Sequence, residues 1–237
     1  MTTLENPRRS IPELRAELRA AQKSGAGVPA YTRWINRRLA RAVAPVAAAW
    51  GIGPNTITFL SAALSVAGVA VLVVAPAGLS AGIAAAILLA SGYVLDSADG
   101  QVARLTRSAG PAGEWLDHVI DAFRTPLIHT GVAIAYYVHR PEDAWVMVVA
   151  LAYALLSSGQ FMSQILAEQL SVRHGRSMAE TSGRVKSLVL IPTDPGTLCW
   201  AFALWATPVF APVYALLLAA NLVHAGASLR RKHRRLT

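Results

Sequence analysis

Long apolar stretches dominate the chain from Thr56 onward. Several of them continue for about 18 residues or more with almost no charge, which is enough for a helix to cross a hydrocarbon layer about 30 Å thick. The pattern predicts six such helices, at about 56–74, 79–95, 114–137, 144–167, 188–206 and 209–228. The expected fold class is therefore an all-α integral membrane protein with six transmembrane helices.

Two of these predicted helices have irregular ends. The helical pattern of the second does not stop at the membrane edge but continues through the polar sequence DSADGQVARLTR, residues 96–107. One long helix is therefore expected to carry polar side chains out of the bilayer. The fifth has the weakest pattern, because Pro192, Asp194 and Pro195 interrupt its beginning.

The N-terminal fifty residues are more polar than the rest. Residues 1–30 are predicted to form a soluble cytoplasmic arm with a helix from Pro12 to Lys23. In residues 31–50, arginines alternate with apolar residues and a tryptophan, which is typical of an amphipathic juxtamembrane helix in the headgroup layer. An ordinary surface helix packed on the protein is the alternative. Residues 51–237 form the predicted membrane domain.

The positive charges indicate an orientation. Although 54% of the residues are hydrophobic, the chain has a net charge of +9, and 20 of its 22 lysines and arginines fall in segments that would lie on one side of a six-span protein. The positive-inside rule places that side, with both termini, in the cytoplasm. In so apolar a chain the excess charge indicates contact with a membrane surface, and no nucleic-acid partner is expected.

Two pairs of aspartates are the strongest candidates for chemistry. Asp96 and Asp99 are three residues apart and Asp117 and Asp121 are four apart, so each pair shares a helix face. A short connection containing glycine and proline would let the two pairs face each other at the cytoplasmic edge. Four close carboxylates repel one another, and two divalent cations would balance their charge. Solvated caps, salt bridges or a cation pathway are alternatives.

Small and basic residues accompany the aspartates. Gly100 and Ala103 each lie one turn beyond an aspartate, and Gly92 would extend this strip of small side chains into the membrane. Such a strip lets a substrate approach the helix backbone. Arg104 and Arg107 add positive charge where a pyrophosphate would bind.

These residues match a known signature. The pattern Asp96-x2-Asp99-Gly100-x2-Ala103-Arg104-x8-Gly113-x3-Asp117-x3-Asp121 resembles that of the CDP-alcohol phosphatidyltransferase family, with all eight specified positions filled over 26 residues. The sequence Pro54-Asn55-Thr56-Ile57-Thr58 resembles a second element of the family. The resemblance extends over about residues 50–228 and leaves residues 1–30 without a role.

The resemblance implies an activity and a site. Family members transfer a substituted phosphate from a CDP-linked donor to an alcohol hydroxyl, release CMP and need Mg²⁺ or Mn²⁺. By position in the motif, the four aspartates would hold two metal ions, with Asp121 as general base and Asp117 as the second candidate. The donor would be bound by Asn55, Thr58, Gly100, Ala103, Arg104 and Gly113. Relatives are often homodimers, so the resemblance also implies a homodimer.

Three basic residues are candidates for acceptor binding. Arg124 follows Asp121 by three residues and would either pair with the aspartates or bind an acceptor phosphate. Arg184 and Lys186 lie in a basic stretch that partly resembles one in relatives that accept phosphorylated alcohols. Cytoplasmic loops are often basic for topological reasons alone, which is the alternative for this stretch.

The leading hypothesis is phospholipid synthesis, in which CDP-diacylglycerol donates its phosphatidyl group to a small alcohol or alcohol phosphate. A soluble CDP-alcohol that donates to a lipid hydroxyl is an alternative with the same chemistry. A cation-coupled transporter that uses the aspartates as a relay is an alternative of another class. The sequence does not identify the acceptor or choose between Mg²⁺ and Mn²⁺.

Overall fold

A computed structural model describes residues 9–21, 25–175 and 183–237. Within these ranges the chain folds into helices joined by short connections, as the all-α prediction requires. The α-helices are α1 Ile11–Ala20, α2 Arg37–Ala49, α3 Pro54–Val74, α4 Leu79–Leu105, α5 Pro111–His139, α6 Ala144–Arg173, α7 Arg184–Val189, α8 Pro195–Ala201 and α9 Phe210–Leu236.

Four helices in the described part of the chain are long and apolar enough to cross a membrane: α3, α4, α6 with the turn before it, and α9. They correspond to the first, second, fourth and sixth predicted spans. Helix α5 has 29 residues, but Glu114, Asp117, Asp121 and Arg124 place charge in its first half. The six-span count stays a prediction.

The fifth predicted span does not form a continuous helix, so the prediction of one helix over 188–206 is wrong. Helix α7 ends at Val189, a 3-10 turn covers Ile191–Thr193, and α8 begins only at Pro195. Pro192 and Pro195 lack the backbone N–H that a continuous helix needs. The Asp194 carboxylate instead caps α8 by accepting a hydrogen bond from the Gly196 N–H at 3.0 Å. The short apolar segment Pro195–Leu204 is about 15 Å long, half the thickness of the hydrocarbon layer.

The N-terminal helix α1 packs against α2 and α4. Leu14 and Leu18 are buried in one apolar cluster with Ala44 of α2 and Val102 of α4. The helix starts with a capping box, in which the Ser10 hydroxyl accepts from the Glu13 N–H and the Glu13 carboxylate accepts from the Ser10 N–H. This backbone hydrogen bond lowers the pKa of Glu13. The predicted helix over 12–23 is thus confirmed in its main part, while residues 22–24 lie outside the described ranges.

The predicted amphipathic segment, residues 31–50, consists of a π-helical turn at Thr32–Asn36 and helix α2. Buried polar contacts fasten it to the rest of the chain. The Asn36 amide donates to the Ser97 hydroxyl at 2.6 Å, and the Thr32 hydroxyl donates to Asp194 at 2.7 Å. This segment therefore lies directly against the polar end of α4.

Helices α3 and α4 pack closely along a seam that contains Gly92. A Cβ atom added at Gly92 would lie 2.9 Å from the Ser65 hydroxyl and 3.0 Å from the Ser61 carbonyl oxygen. The prediction that Gly92 extends an open strip for substrate is therefore wrong. The residue is small because α3 occupies the space, and the contact fixes the height of α4 relative to α3.

Candidate active site

The polar end of α4 and the start of α5 bring three carboxylates together. Asp96, Asp99 and Asp117 each offer an oxygen atom, and these atoms lie within 4.8 Å of one another. Helix α4 continues without a break to Leu105, and Pro111 starts α5 after a short connection, so the two helices form the hairpin that the sequence predicts. The three carboxylates thus converge from two elements.

Asp99 is the most buried of the three, with 6% of its surface exposed. The Thr58 hydroxyl, at the start of α3, donates to one carboxylate oxygen at 2.7 Å, and the backbone N–H of Gly100 donates to the other. These bonds fix the orientation of the side chain. Thr58, predicted to bind the donor, therefore contacts Asp99 in the structure.

Arg124 joins the carboxylates to a third helix. Its Nη1 donates to Asp121 at 2.7 Å and also to Asp96, and its Nη2 donates to the Ser61 hydroxyl of α3. The guanidinium therefore holds α3, α4 and α5 together at the depth of the aspartates. This arrangement supports the ion-pair interpretation of Arg124.

Asp121 lies at the edge of the group rather than within it. It interacts electrostatically with Asp96 and Asp117 and pairs with Arg124 at 2.7 Å, but it is not one of the three carboxylates whose oxygens lie within 4.8 Å of one another. Two of the predicted metal ligands, both on α5, thus differ in surroundings: Asp117 belongs to the three-carboxylate cluster, and Asp121 pairs with Arg124.

A cavity of about 190 Å³ opens beside the cluster. Its lining includes the three clustered aspartates, Gly100 and Arg104. Gly100 and Arg104 are both among the predicted donor-binding residues. Gly100 faces open space, because a Cβ atom added there would come only within 3.7 Å of the Arg104 guanidinium. Ala103 is half-buried next to Arg104.

Asn55 and Gly113 meet near the same end of the hairpin. A Cβ atom added at Gly113 would lie 3.9 Å from the Asn55 side-chain oxygen. The start of α3 and the start of α5 are thus neighbours, as they must be if both contribute to one donor site.

Sequence reasoning missed three residues that line the 190 Å³ cavity, which are Arg37, Ser97 and Gln101. Arg37 of α2 lies on its wall, and desolvation lowers the pKa of its guanidinium. Gln101 is buried, and its side-chain oxygen has no hydrogen-bond partner within the described ranges. Gln101 directly follows Gly100 of the motif on α4. Helical spacing could therefore have predicted that its side chain is buried beside the site. Arg37 comes from a distant segment and carried no such signal.

The donor set fits a divalent cation. Hard cations bind carboxylate oxygens, and two ligands at about 2.1 Å from one ion are at most about 4.2 Å apart. The clustered oxygens lie within 4.8 Å of one another, so small side-chain rotations would bring them into range. Asp96, Asp99 and Asp117 are therefore the residues that could hold a metal ion.

A larger cavity of about 370 Å³ lies on the other side of Asp96. It is lined by Asp121 and Arg124 and by polar side chains of α6 and α9. Asp96 lines both cavities, so they meet at the carboxylates.

The predicted acceptor residues are separated in the structure. Arg124 lies in the ion pair with the aspartates, and Arg184 is exposed on α7. Lys186 is half-buried and lines a third cavity, of about 630 Å³, next to the 370 Å³ one.

The sequence of the chain was compared with models of protein families and with curated proteins. The model of a protein family described as CDP-alcohol phosphatidyltransferase matches residues 52–225, which include α3–α6, the broken segment formed by α7 and α8, and most of α9. No curated protein matches the chain.

Proposed function

The chain belongs to the CDP-alcohol phosphatidyltransferase family, and on this premise we propose that it transfers a phosphatidyl group from CDP-diacylglycerol to the hydroxyl of a small alcohol or alcohol phosphate. CMP is the second product. The reaction serves phospholipid synthesis in a membrane. The observation that carries the proposal is the convergence of Asp96, Asp99 and Asp117 from two helices, at the junction of two cavities.

The chain's own residues have distinct tasks in this reaction. The smaller cavity holds the CDP part of the donor, where Arg104 and Arg37 offset the charge of the diphosphate. The acceptor hydroxyl lies in the larger cavity and attacks the phosphorus that carries the diacylglycerol. The bond from this phosphorus to the oxygen of CMP breaks, and CMP leaves with that oxygen.

Asp121 takes the hydroxyl proton in this proposal. Its carboxylate lines the larger cavity, where the acceptor would lie, and Arg124 fixes its orientation at 2.7 Å. Asp117 is the second candidate for this role.

The family needs a divalent metal, and Mg²⁺ or Mn²⁺ held by Asp96, Asp99 and Asp117 would neutralise the diphosphate and stabilise the leaving CMP. We propose that the four aspartates together would hold two ions, with Asp121, which interacts with Asp96 and Asp117, as the fourth ligand. The three clustered oxygens and the nearby fourth carboxylate support this assignment.

The proposed topology has six spans, with both termini and the active site on the cytoplasmic side. The excess of lysine and arginine on one side supports this orientation. Helix α5 and the broken segment α7–α8 would be the third and fifth spans, where neighbouring helices cover the charged and irregular parts.

The experiment is a CMP-release assay with full-length protein in detergent, CDP-diacylglycerol, Mg²⁺ and a panel of alcohols and alcohol phosphates. Release should depend on both metal and acceptor. It should fall at least about a hundredfold in Asp121→Asn, because loss of a positioned base costs that much. Glu142→Gln, an exposed acid in the turn before α6, is the matched control and should keep wild-type activity. Equal activity in the Asp121→Asn and Glu142→Gln variants would contradict the assignment.

A further inference from the structure

A polar groove runs between α6 and α9. The 370 Å³ cavity beside Asp121 and the 630 Å³ cavity beyond it have seven lining residues in common, so they adjoin along their length. The shared residues are Gln160, Gln164, Thr193, Asn221, His224, Ser228 and Lys232. We call this continuous space the α6–α9 groove.

Helices α6 and α9 both contribute rows of polar side chains to the groove, while Ile128, Phe161 and Leu198 add apolar surface at its inner end. On α6, Ser157, Gln160 and Gln164 follow at helical spacing, and Asn221, His224 and Ser228 do the same on α9. The opposite faces expose apolar side chains such as those of Leu155 and Val223. Polar side chains in membrane helices are costly unless they face the protein interior or water. The two faces therefore line a space for a hydrophilic ligand.

Positive charge increases along the groove with distance from the aspartates. At the inner end, three acidic residues and one arginine line the cavity: Asp96, Asp121, Asp194 and Arg124, and the arginine pairs with Asp96 and Asp121. At the outer end, four basic side chains line the cavity together with one acidic side chain, Glu168, among the described residues. The basic residues are Lys186 of α7 and Arg231, Lys232 and Arg235 of α9.

The basic residues that line the groove are a subset of those in the neighbouring segments, so their position on the cavity is more than a result of a basic sequence. Arg230 and Arg234 belong to the same basic C-terminal segment of α9, are exposed and do not line the groove. Lys186 approaches from a different element of the chain. Convergence of basic side chains from two elements on one cavity favours a bound anion over a general membrane-surface charge.

We propose that the α6–α9 groove binds the acceptor, and that this acceptor is a water-soluble alcohol with a phosphomonoester group held at the cationic outer end. Its hydroxyl points to Asp121. In the transfer, the hydroxyl oxygen bonds to the donor phosphorus as the bond to CMP breaks, the proton goes to Asp121, and the acceptor's own phosphate is unchanged. This inference rests on the proposed function and narrows its acceptor to one chemical class.

The length of the polar wall favours a soluble acceptor over a lipid. Ser157 and Glu168 are eleven residues apart on α6, so the wall extends for about 16 Å. The acyl chains of a lipid acceptor would lie against polar side chains over this distance. A small polyol phosphate satisfies them instead.

The first test measures phosphate binding without catalysis. Inorganic phosphate should raise the melting temperature of the detergent-purified full chain relative to potassium chloride at equal ionic strength. The Lys232→Gln substitution should weaken the apparent phosphate affinity about tenfold, since a charge-assisted hydrogen bond is lost. Arg234→Gln, the matched control outside the groove, should not change it. No phosphate-specific stabilisation, or equal weakening in both variants, would overturn the inference.

The second test compares acceptors. Glycerol 3-phosphate and inositol phosphate should each have a lower KM than the parent alcohol in the CMP-release assay. Lys232→Gln should raise the KM of the phosphorylated acceptor about tenfold and leave the KM of CDP-diacylglycerol unchanged. A preference for the neutral alcohols would overturn the inference and leave the proposed function intact.

A third arm separates soluble from lipid phosphomonoesters. Short-chain phosphatidic acid carries the same headgroup chemistry and should not displace bound phosphate, whereas glycerol 3-phosphate should. Displacement by the phosphatidic acid alone would overturn the assignment of a soluble acceptor. Absence of CMP release with every acceptor, in protein that binds phosphate as described, would instead count against the proposed function.

Discussion

The orientation of single carboxylates decides what this site can do. Asp99 has its two oxygens fixed by Thr58 and by the Gly100 N–H, and Asp96 is fixed by Arg124. Each bond restricts a side chain that would otherwise turn away from its like-charged neighbours. The residues that orient the aspartates come from α3 as well as from α4 and α5, so the reactive geometry depends on the packing of three helices.

The hydrogen bond from Thr58 to Asp99 gives a prediction at this scale. Thr58→Val keeps the shape of the side chain and removes the donor, so kcat/KM for CMP release should fall about tenfold, as expected for one hydrogen bond to a charged group. Thr58→Ser should keep most of the activity because it keeps the hydroxyl. The exposed Thr56 lies two residues away, and Thr56→Val is the control. Unchanged activity in Thr58→Val would mean that Asp99 needs no such support.

The contacts of Arg124 give a second prediction. Its planar guanidinium bonds two carboxylates and the Ser61 hydroxyl at once, which a lysine ammonium on a different stem cannot reproduce. Arg124→Lys should therefore lose at least about tenfold in kcat/KM although the charge is kept. Arg140→Lys, in the turn after α5, should remain near wild type. Full activity in Arg124→Lys would show that only the charge matters.

At the scale of elements, the break between α7 and α8 matters most. Asp194 is buried and accepts hydrogen bonds from the Thr32 N–H at 2.8 Å, the Thr32 hydroxyl at 2.7 Å and the Gly196 N–H. The Thr32 hydroxyl also bonds the Tyr93 hydroxyl at 2.7 Å, one turn before Asp96 on α4. The broken segment thus fastens the N-terminal π-helical turn to the helix that carries the metal-binding candidates.

The role of Asp194 is testable by stability. Asp194→Asn replaces one acceptor oxygen with a donor, so at least one of the three hydrogen bonds is lost within the protein interior. We expect the melting temperature in detergent to fall by several degrees, because hydrogen bonds to charged groups are worth about 1.5–3 kcal/mol each. Asp143→Asn, in the turn before α6, is the control. An unchanged melting temperature would contradict a structural role for this network.

The same elements show what the sequence could and could not predict. Helix α4 and the meeting of the aspartate pairs were predictable, because helical spacing and a short hairpin connection are local properties. The prolines around Asp194 indicated an interruption, but the anchoring of Asp194 to Thr32 was not predictable, since the two residues are 162 positions apart in the chain. The role of Gly92 depends on α3, and the α6–α9 groove depends on two helices whose polar residues look isolated in the sequence. Long-range packing decides all three.

At the scale of the whole molecule, the proposed topology crosses the membrane six times. Four helices of the described ranges have the length and apolarity to do so, and the other two spans are proposed from α5 and from the broken segment. An even number of spans places the basic C-terminal segment and the aspartates on one side. Donor lipid would then enter from the cytoplasmic leaflet.

Topology is open to a direct prediction. In a Cys199→Ser background, which removes the single native cysteine, Glu142→Cys should react with a membrane-impermeant maleimide added outside intact cells. Thr237→Cys should react only after the membrane is opened. Labelling of both positions from outside, or of neither, would contradict the six-span arrangement.

The central claim, transfer of a phosphatidyl group, is tested most directly by following a label. Purified full-length protein would be given CDP-diacylglycerol with radiolabelled acyl chains, Mg²⁺ and a panel of phosphorylated and neutral alcohols. We predict a new labelled phospholipid in an amount equal to the CMP released, and neither product in Asp121→Asn. Failure of any alcohol to yield a labelled lipid other than the donor would contradict the account.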